Sequence, residues 1–100
     1  MKLRFTARAS QDLRQMWAYG VRHFGESVAD SYLDTLLLRT EDLKTFPRAY
    51  PAVVETPIEL RRMSHRGSIV LYRIMPNLIR VERVSDGRRD ISAIIEEIIR

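Results

Sequence analysis

The spacing of apolar residues in this chain passes from a helical to a strand period beyond Phe46-Pro47, and that change decides what it can fold into. Leu13, Met16, Trp17, Gly20, Val21 and Phe24 recur at intervals of three and four, the stripe of an amphipathic helix. Thr6 is placed to cap it and Gly25 to stop it. A second stripe, Ala29, Tyr32, Leu33, Leu36, Thr40 and Leu43, predicts a second helix with Ser27 as its cap, closed by Phe46-Pro47. Beyond Pro47, Pro51 and Pro57 the pattern turns strand-like in "LRRMS", "SIVLYRI" and "LIRVERV". His65-Arg66-Gly67 and Met75-Pro76-Asn77 supply turns between them, so the three predict an antiparallel meander. With "KLRFT" as an opening strand, the order is β-α-α-β-β-β, an α+β fold in which a helical hairpin covers one face of an antiparallel sheet. The tail from about 90 to 100 offers a further helix, capped by Asp90 and apolar at Ile91, Ile94, Ile95, Ile98 and Ile99. Packing on its own domain, packing on another chain and a fifth strand all fit that tail.

One hundred residues predict a single domain over 1–100, with room for one modest core. There is no cysteine, which removes disulfides and thiolate metal sites. The first residues lack a signal-peptide apolar region, and no apolar run approaches the ~18 residues of a membrane span, so a cytoplasmic protein is expected. The net charge of +4 is unevenly placed. Residues 1–59 hold eight cations and eight carboxylates, whereas residues 60–100 hold nine arginines against five carboxylates. Every cation in that second part is an arginine, a fixed positive fork suited to carboxylates and phosphates. The excess reads either as a solvated basic surface or as a face built for an acidic partner or a nucleic acid.

Motifs for catalysis are missing. His23 and His65 fall in different elements without neighbours at metal-ligand spacing. The four glycines form no phosphate-cradling loop, and no serine sits in a nucleophile elbow. No cofactor is expected. His65, on a turn, reads as solvated. Trp17 and the helix tyrosines read as core or groove lining. What remains is an arginine set: Arg61, Arg62, Arg66, Arg73, Arg83, Arg88 and Arg89. Strand alternation points Arg61 and Arg62 to opposite faces and puts Arg83 on the face of Ile79 and Val81. Arg88 and Arg89 follow the Asp86-Gly87 turn, where Asp86 and Asp90 offer a latch as the alternative to partner binding.

Three segments carry a family likeness: "ARASQDLRQMWAYGVRHFG", "ELRRMSHRGSIVLYRI" and "RVERVSDGRRD". In this order the chain resembles the ParE toxins of the RelE/ParE superfamily, from bacterial type II toxin–antitoxin modules. It departs at Asp86, where that family usually has histidine. The resemblance implies a toxin neutralised by a ParD-like antitoxin in a hetero-oligomer, with Trp17, Phe24, Tyr32 and Leu36 lining apolar grooves for the antitoxin's anchors. ParE-type members poison DNA gyrase on cleaved DNA; RelE-type members cut messenger RNA in the ribosome. RelE-like nucleases carry lysines near the second strand and a tyrosine in the C-terminal segment. Here Arg61 and Arg62 stand at the lysine positions, no lysine follows Lys44 and no tyrosine follows Tyr72. Arginine is a poor proton shuttle, so a binding toxin without enzyme activity is expected, with Arg83, Arg88, Arg89, Arg61 and Arg62 meeting the target. A ribosome-dependent mRNA interferase and an inactive, toxin-like co-repressor subunit are the alternatives.

Overall fold

A computed structural model covers residues 1–100. Strand β1 (Lys2–Phe5) leads into helices α1 (Ala7–Phe24) and α2 (Glu26–Asp42). Strands β2 (Ala52–Val54), β3 (Glu59–His65), β4 (Ser68–Met75) and β5 (Leu78–Asp86) follow, and helix α3 (Ile91–Ile99) closes the chain. The Thr6 hydroxyl accepts the Ala9 N–H at 3.0 Å, which caps α1. Gly25, at φ 89°, ends α1 and begins α2 alone. A single residue in the left-handed half of the map therefore turns the chain, and Ser27 lies inside α2 rather than capping it. At Gly20 a Cβ atom would stand 3.1 Å from that of Ala29, so the two helices meet where side chains are smallest.

The meander forms as the turn residues demand. Arg66 and Gly67 both have positive φ, 48° and 85°, the pattern of a two-residue hairpin turn matched to strand twist. Asn77 at φ 63° follows Pro76, as a turn with proline first and a left-handed residue second requires. The sheet order is β1-β5-β4-β3-β2. Two features lie outside the sequence expectation. β1 pairs with β5 in parallel, which makes the sheet mixed rather than wholly antiparallel. β2 adds a fifth strand from within the proline loop, paired irregularly with β3.

Each face of the sheet has its own core. On one, Leu36, Leu43 and Ala9 of the hairpin segment pack against Met63, Val70, Tyr72, Ile79, Val81 and Val84. On the other, Ile94 of α3 packs against Leu60, Ile69 and Leu71, flanked by Ile91, Ile95 and Ile98. Isoleucine is a mediocre helix former, so nine residues hold α3 only because this surface receives them; burying Ile94 contributes about 2 kcal/mol. The tail thus packs on its own domain. No helix of the chain is long and apolar enough to cross a membrane.

Candidate target-binding tip and apolar cleft

Two turns are bolted together at one end of the sheet. The Gly87 N–H donates to the Gly67 carbonyl at 2.8 Å, and a Cβ at Gly87 would stand 3.0 Å from that same oxygen. Only glycine allows this approach without displacement, and it brings Arg66 of one turn beside Arg88 of the other. Arg88 donates to both oxygens of Asp86, the shorter contact being 2.8 Å from Nη2 to Oδ2. The Arg88 backbone N–H adds a further bond to Asp86 Oδ1 at 3.0 Å. These bonds hold the Asp86 carboxyl down at about 2, the Arg88 side chain being the larger cause. The latch is open to water, with Arg88 86% and Asp86 44% exposed. Arg89 is exposed and makes no ion pair. An exposed pair of this kind contributes little, so a competing anion can take Arg88 from Asp86.

Against this tip the helical hairpin opens a cleft of about 470 Å³, with Trp17, Phe24, Val28 and Tyr32 on its apolar side and Arg66, Asp86 and Arg88 at its rim. Trp17 Nε1 donates to Asp30 Oδ1 at 2.7 Å, tying α1 to α2. The Tyr32 hydroxyl reaches the Arg66 carbonyl at 3.1 Å and the Ser68 hydroxyl, tying α2 to the β3–β4 turn. The walls are therefore fixed from three sides, while Phe24 remains 64% exposed. Leu36, expected among these lining residues, is fully buried between the hairpin and the sheet. Its place in the second stripe is a core place, and it leaves the groove set.

The remaining arginines lie elsewhere. A bulge in β5 leaves Glu82 without a partner, because Tyr72 faces Val81 while Leu71 faces Arg83. The extra residue shifts the alternation, so Val81 and Val84 share the hairpin face and Arg83 stands opposite Leu71 on the α3 face. Arg83 donates to Asp12 at 2.8 Å and to Glu97 at 3.3 Å, and only 9% of its side chain reaches solvent. The bond to Asp12 raises its already high pKa further. Arg83 locks α1 and α3 onto β5 and presents no charge outward, against the expectation for it. Arg61 is held by Glu59 at 2.9 Å and by the Tyr50 carbonyl at 2.6 Å, deep in the β2–β3 edge. Arg62 stands on the opposite face, partly exposed. The structure thus brings Arg88 and Arg89 together at the tip and separates them from Arg83, Arg61 and Arg62.

Residues 3–91 match the family model described as the ParE toxin of type II toxin-antitoxin system, parDE. The chain belongs to the ParE toxin family. Its fold is that of a protein from the chromosomal ParDE TA system of P. aeruginosa, with a TM-score of 0.71 and 17% identity over 86% of this chain and 95% of that one. It also resembles the isolated E. coli RelE toxin, at a TM-score of 0.57 and 17% identity over 97% of each chain. No curated protein sequence matches it. Within this ParE-type toxin, the sequence offered Arg66 among the arginines without placing it at the site, which the contact between the two turns does, and gave no sign of Tyr19 at the cleft. It also placed His65 in solvent. The ring is instead partly buried, 6.1 Å from that of Tyr32, and burial lowers its pKa.

Proposed function

We propose that this ParE-type toxin acts by binding rather than by catalysis, poisoning DNA gyrase through the tip formed by Arg88, Arg89 and Arg66. The observation that carries this is the exposed pair Arg88 and Arg89, of which Arg88 alone is weakly latched, on a turn bonded to its neighbour through Gly87 and Gly67. Guanidinium forks on a rigid turn suit carboxylate or phosphate oxygens, and the loss of the Asp86 contact on binding costs little. Proton chemistry is poorly served there. A base must be free to accept a proton near neutrality, yet Asp86 stays ionised down to about 2 with Arg88 occupying its oxygens. Tyr72 does not stand in: burial pushes its hydroxyl up to about 12, and it donates to the Pro47 carbonyl at 2.7 Å.

A ParD-like antitoxin neutralises the toxin in this reading. Its C-terminal segment places apolar side chains in the cleft between Trp17, Phe24 and Tyr32 and acidic ones on the rim arginines. Such an occupant covers Arg66 and Arg88 directly, so neutralisation and target binding exclude one another.

The test uses purified gyrase in supercoiling and DNA-cleavage assays. The parent chain traps cleaved DNA, and an Arg88→Ala, Arg89→Ala variant loses most of that effect. Equal poisoning by the variant removes the tip from the mechanism. Cleavage of messenger RNA in a ribosome-containing extract, with gyrase untouched, moves the toxin to the RelE-like reading. Absence of growth arrest on expression without antitoxin leaves a co-repressor subunit.

A further inference from the structure

The other end of the sheet carries a charge arrangement that folding alone does not require. Arg4 of β1 stands directly opposite Arg80 of β5, and Arg80 directly opposite Arg73 of β4. The row continues to Leu60, which packs under α3, so the three arginines share the α3 face of the sheet. Like charges placed directly across strands are destabilising. Only Glu82 relieves them, through its 2.8 Å bond to Arg80, and that carboxylate is itself almost buried. Arg4 is exposed, Arg73 is partly exposed, and neither has an ion-pair partner. Lys2 occupies the next row on the same face, opposite Leu78. Three adjacent strands spread the arginine row over roughly 10 Å. From Arg80 to the Asp86 turn β5 runs roughly 20 Å, so this row is distinct from the tip.

We propose that the Arg4–Arg80–Arg73 row is a docking surface for the phosphate backbone of duplex nucleic acid, read without regard to sequence. Duplex DNA carries one negative charge per ~1.7 Å of its axis, so a cationic row of this length faces several phosphates at once. The cations stand on three paired strands, beside the part of the face that α3 covers through Leu60, Ile69 and Leu71. A single strand is the poorer fit. Such strands are held by aromatic side chains that stack on bases, and the residues of these two rows, Lys2, Leu78, Met75, Arg4, Arg80 and Arg73, include none. An acidic protein segment would need apolar anchors to bind well, and the most exposed large apolar residues, such as Phe24, Leu38 and Phe46, belong to the hairpin and the loop after it. The inference does not rest on the gyrase reading, because it concerns DNA alone.

Fluorescence anisotropy of a labelled, random-sequence 20-base-pair duplex titrated with the full chain tests it across a range of salt. Binding weakens steadily with salt in the parent. An Arg4→Gln, Arg73→Gln variant, which leaves the Arg80–Glu82 pair intact, binds roughly ten-fold more weakly and loses about two from the salt slope. An Arg4→Lys, Arg73→Lys variant keeps most of the slope. An unchanged slope in the glutamine variant overturns the proposal, as does failure of lysine to sustain it. Tighter binding of poly-glutamate than of the duplex overturns it in favour of an acidic protein partner.

Discussion

The carboxylate of Asp12 on α1 accepts both the Arg83 Nε–H, at 2.8 Å, and the Val84 backbone N–H, at 3.0 Å. β1 ends at Phe5, opposite Val81, and leaves the rest of that β5 edge without a strand. A helix side chain thus completes an edge that a strand leaves open, and the same carboxylate neutralises the arginine that the bulge at Glu82 turns inward. Glu97 of α3 reaches that arginine from the other side of the sheet, so one buried cation joins both layers of helices to β5.

Replacing Asp12 with alanine leaves Arg83 short of its main partner and the Val84 N–H without an acceptor. Both partners are about nine-tenths buried, and removing one member of such a pair costs about 3 kcal/mol. For a domain of this size that lowers the unfolding midpoint by roughly 15 °C. An Asp12→Leu, Arg83→Met double variant removes the stranded charge as well, and urea unfolding finds it more stable than Asp12→Ala. A double variant as unstable as the single one would show that charge burial is not the source of the loss.

The Asp86–Arg88 latch sets a pH window. The folded Asp86 carboxyl titrates at about 2, below its ordinary value near 4, so its contribution is whole above about pH 4 and is lost as pH falls towards 2. Carboxyl carbon NMR should therefore place the Asp86 midpoint at about 2. In Arg88→Ala the midpoint rises, but not to the ordinary value, because the backbone N–H at position 88 still donates to Oδ1. A midpoint that does not move shows that the side-chain bond is not formed in solution.

Local pattern made the two long helices, the meander and its turns legible. Residues three, four or two apart report on one another, and Gly25, Gly67 and Asn77 stand where positive φ is needed. The parallel pairing of β1 with β5 joins the ends of the chain and leaves no local trace. β2 is hidden because its three residues lie between prolines and pair irregularly. The same division runs through the site. The Asp86–Arg88 latch spans two positions and was open to inspection, whereas the partner that buries Arg83 lies 71 positions away. The Glu82 bulge then moved Arg83 to the face opposite the one that simple alternation assigns.

Gly87→Ala tests whether the two turns must touch. The added methyl meets a backbone oxygen at 3.0 Å, so a turn has to move rather than a flexible side chain. The variant stays folded, but Arg88 shifts relative to Arg66. If the tip poisons gyrase as proposed, that poisoning falls more than the folded fraction does, measured by activity and circular dichroism on the same sample. Full activity would mean that the register of Arg66 and Arg88 is unimportant to the target.

Phe24 and Leu36 separate groove from core within one hairpin. Phe24 is 64% exposed, so Phe24→Ala should leave stability within about 0.5 kcal/mol of the parent. Leu36 is wholly buried among Ala9, Met63 and Val70, and Leu36→Ala should cost about 2–5 kcal/mol through the cavity it leaves. If the cleft receives an antitoxin segment, Phe24→Ala weakens its binding about ten-fold or more, since aromatic residues in such grooves act as anchors for the whole interface. Calorimetric titration of the folded variant with antitoxin reads this directly. Unchanged affinity in Phe24→Ala, and again in Trp17→Ala, would place the antitoxin on another surface of the toxin and leave the cleft without that role.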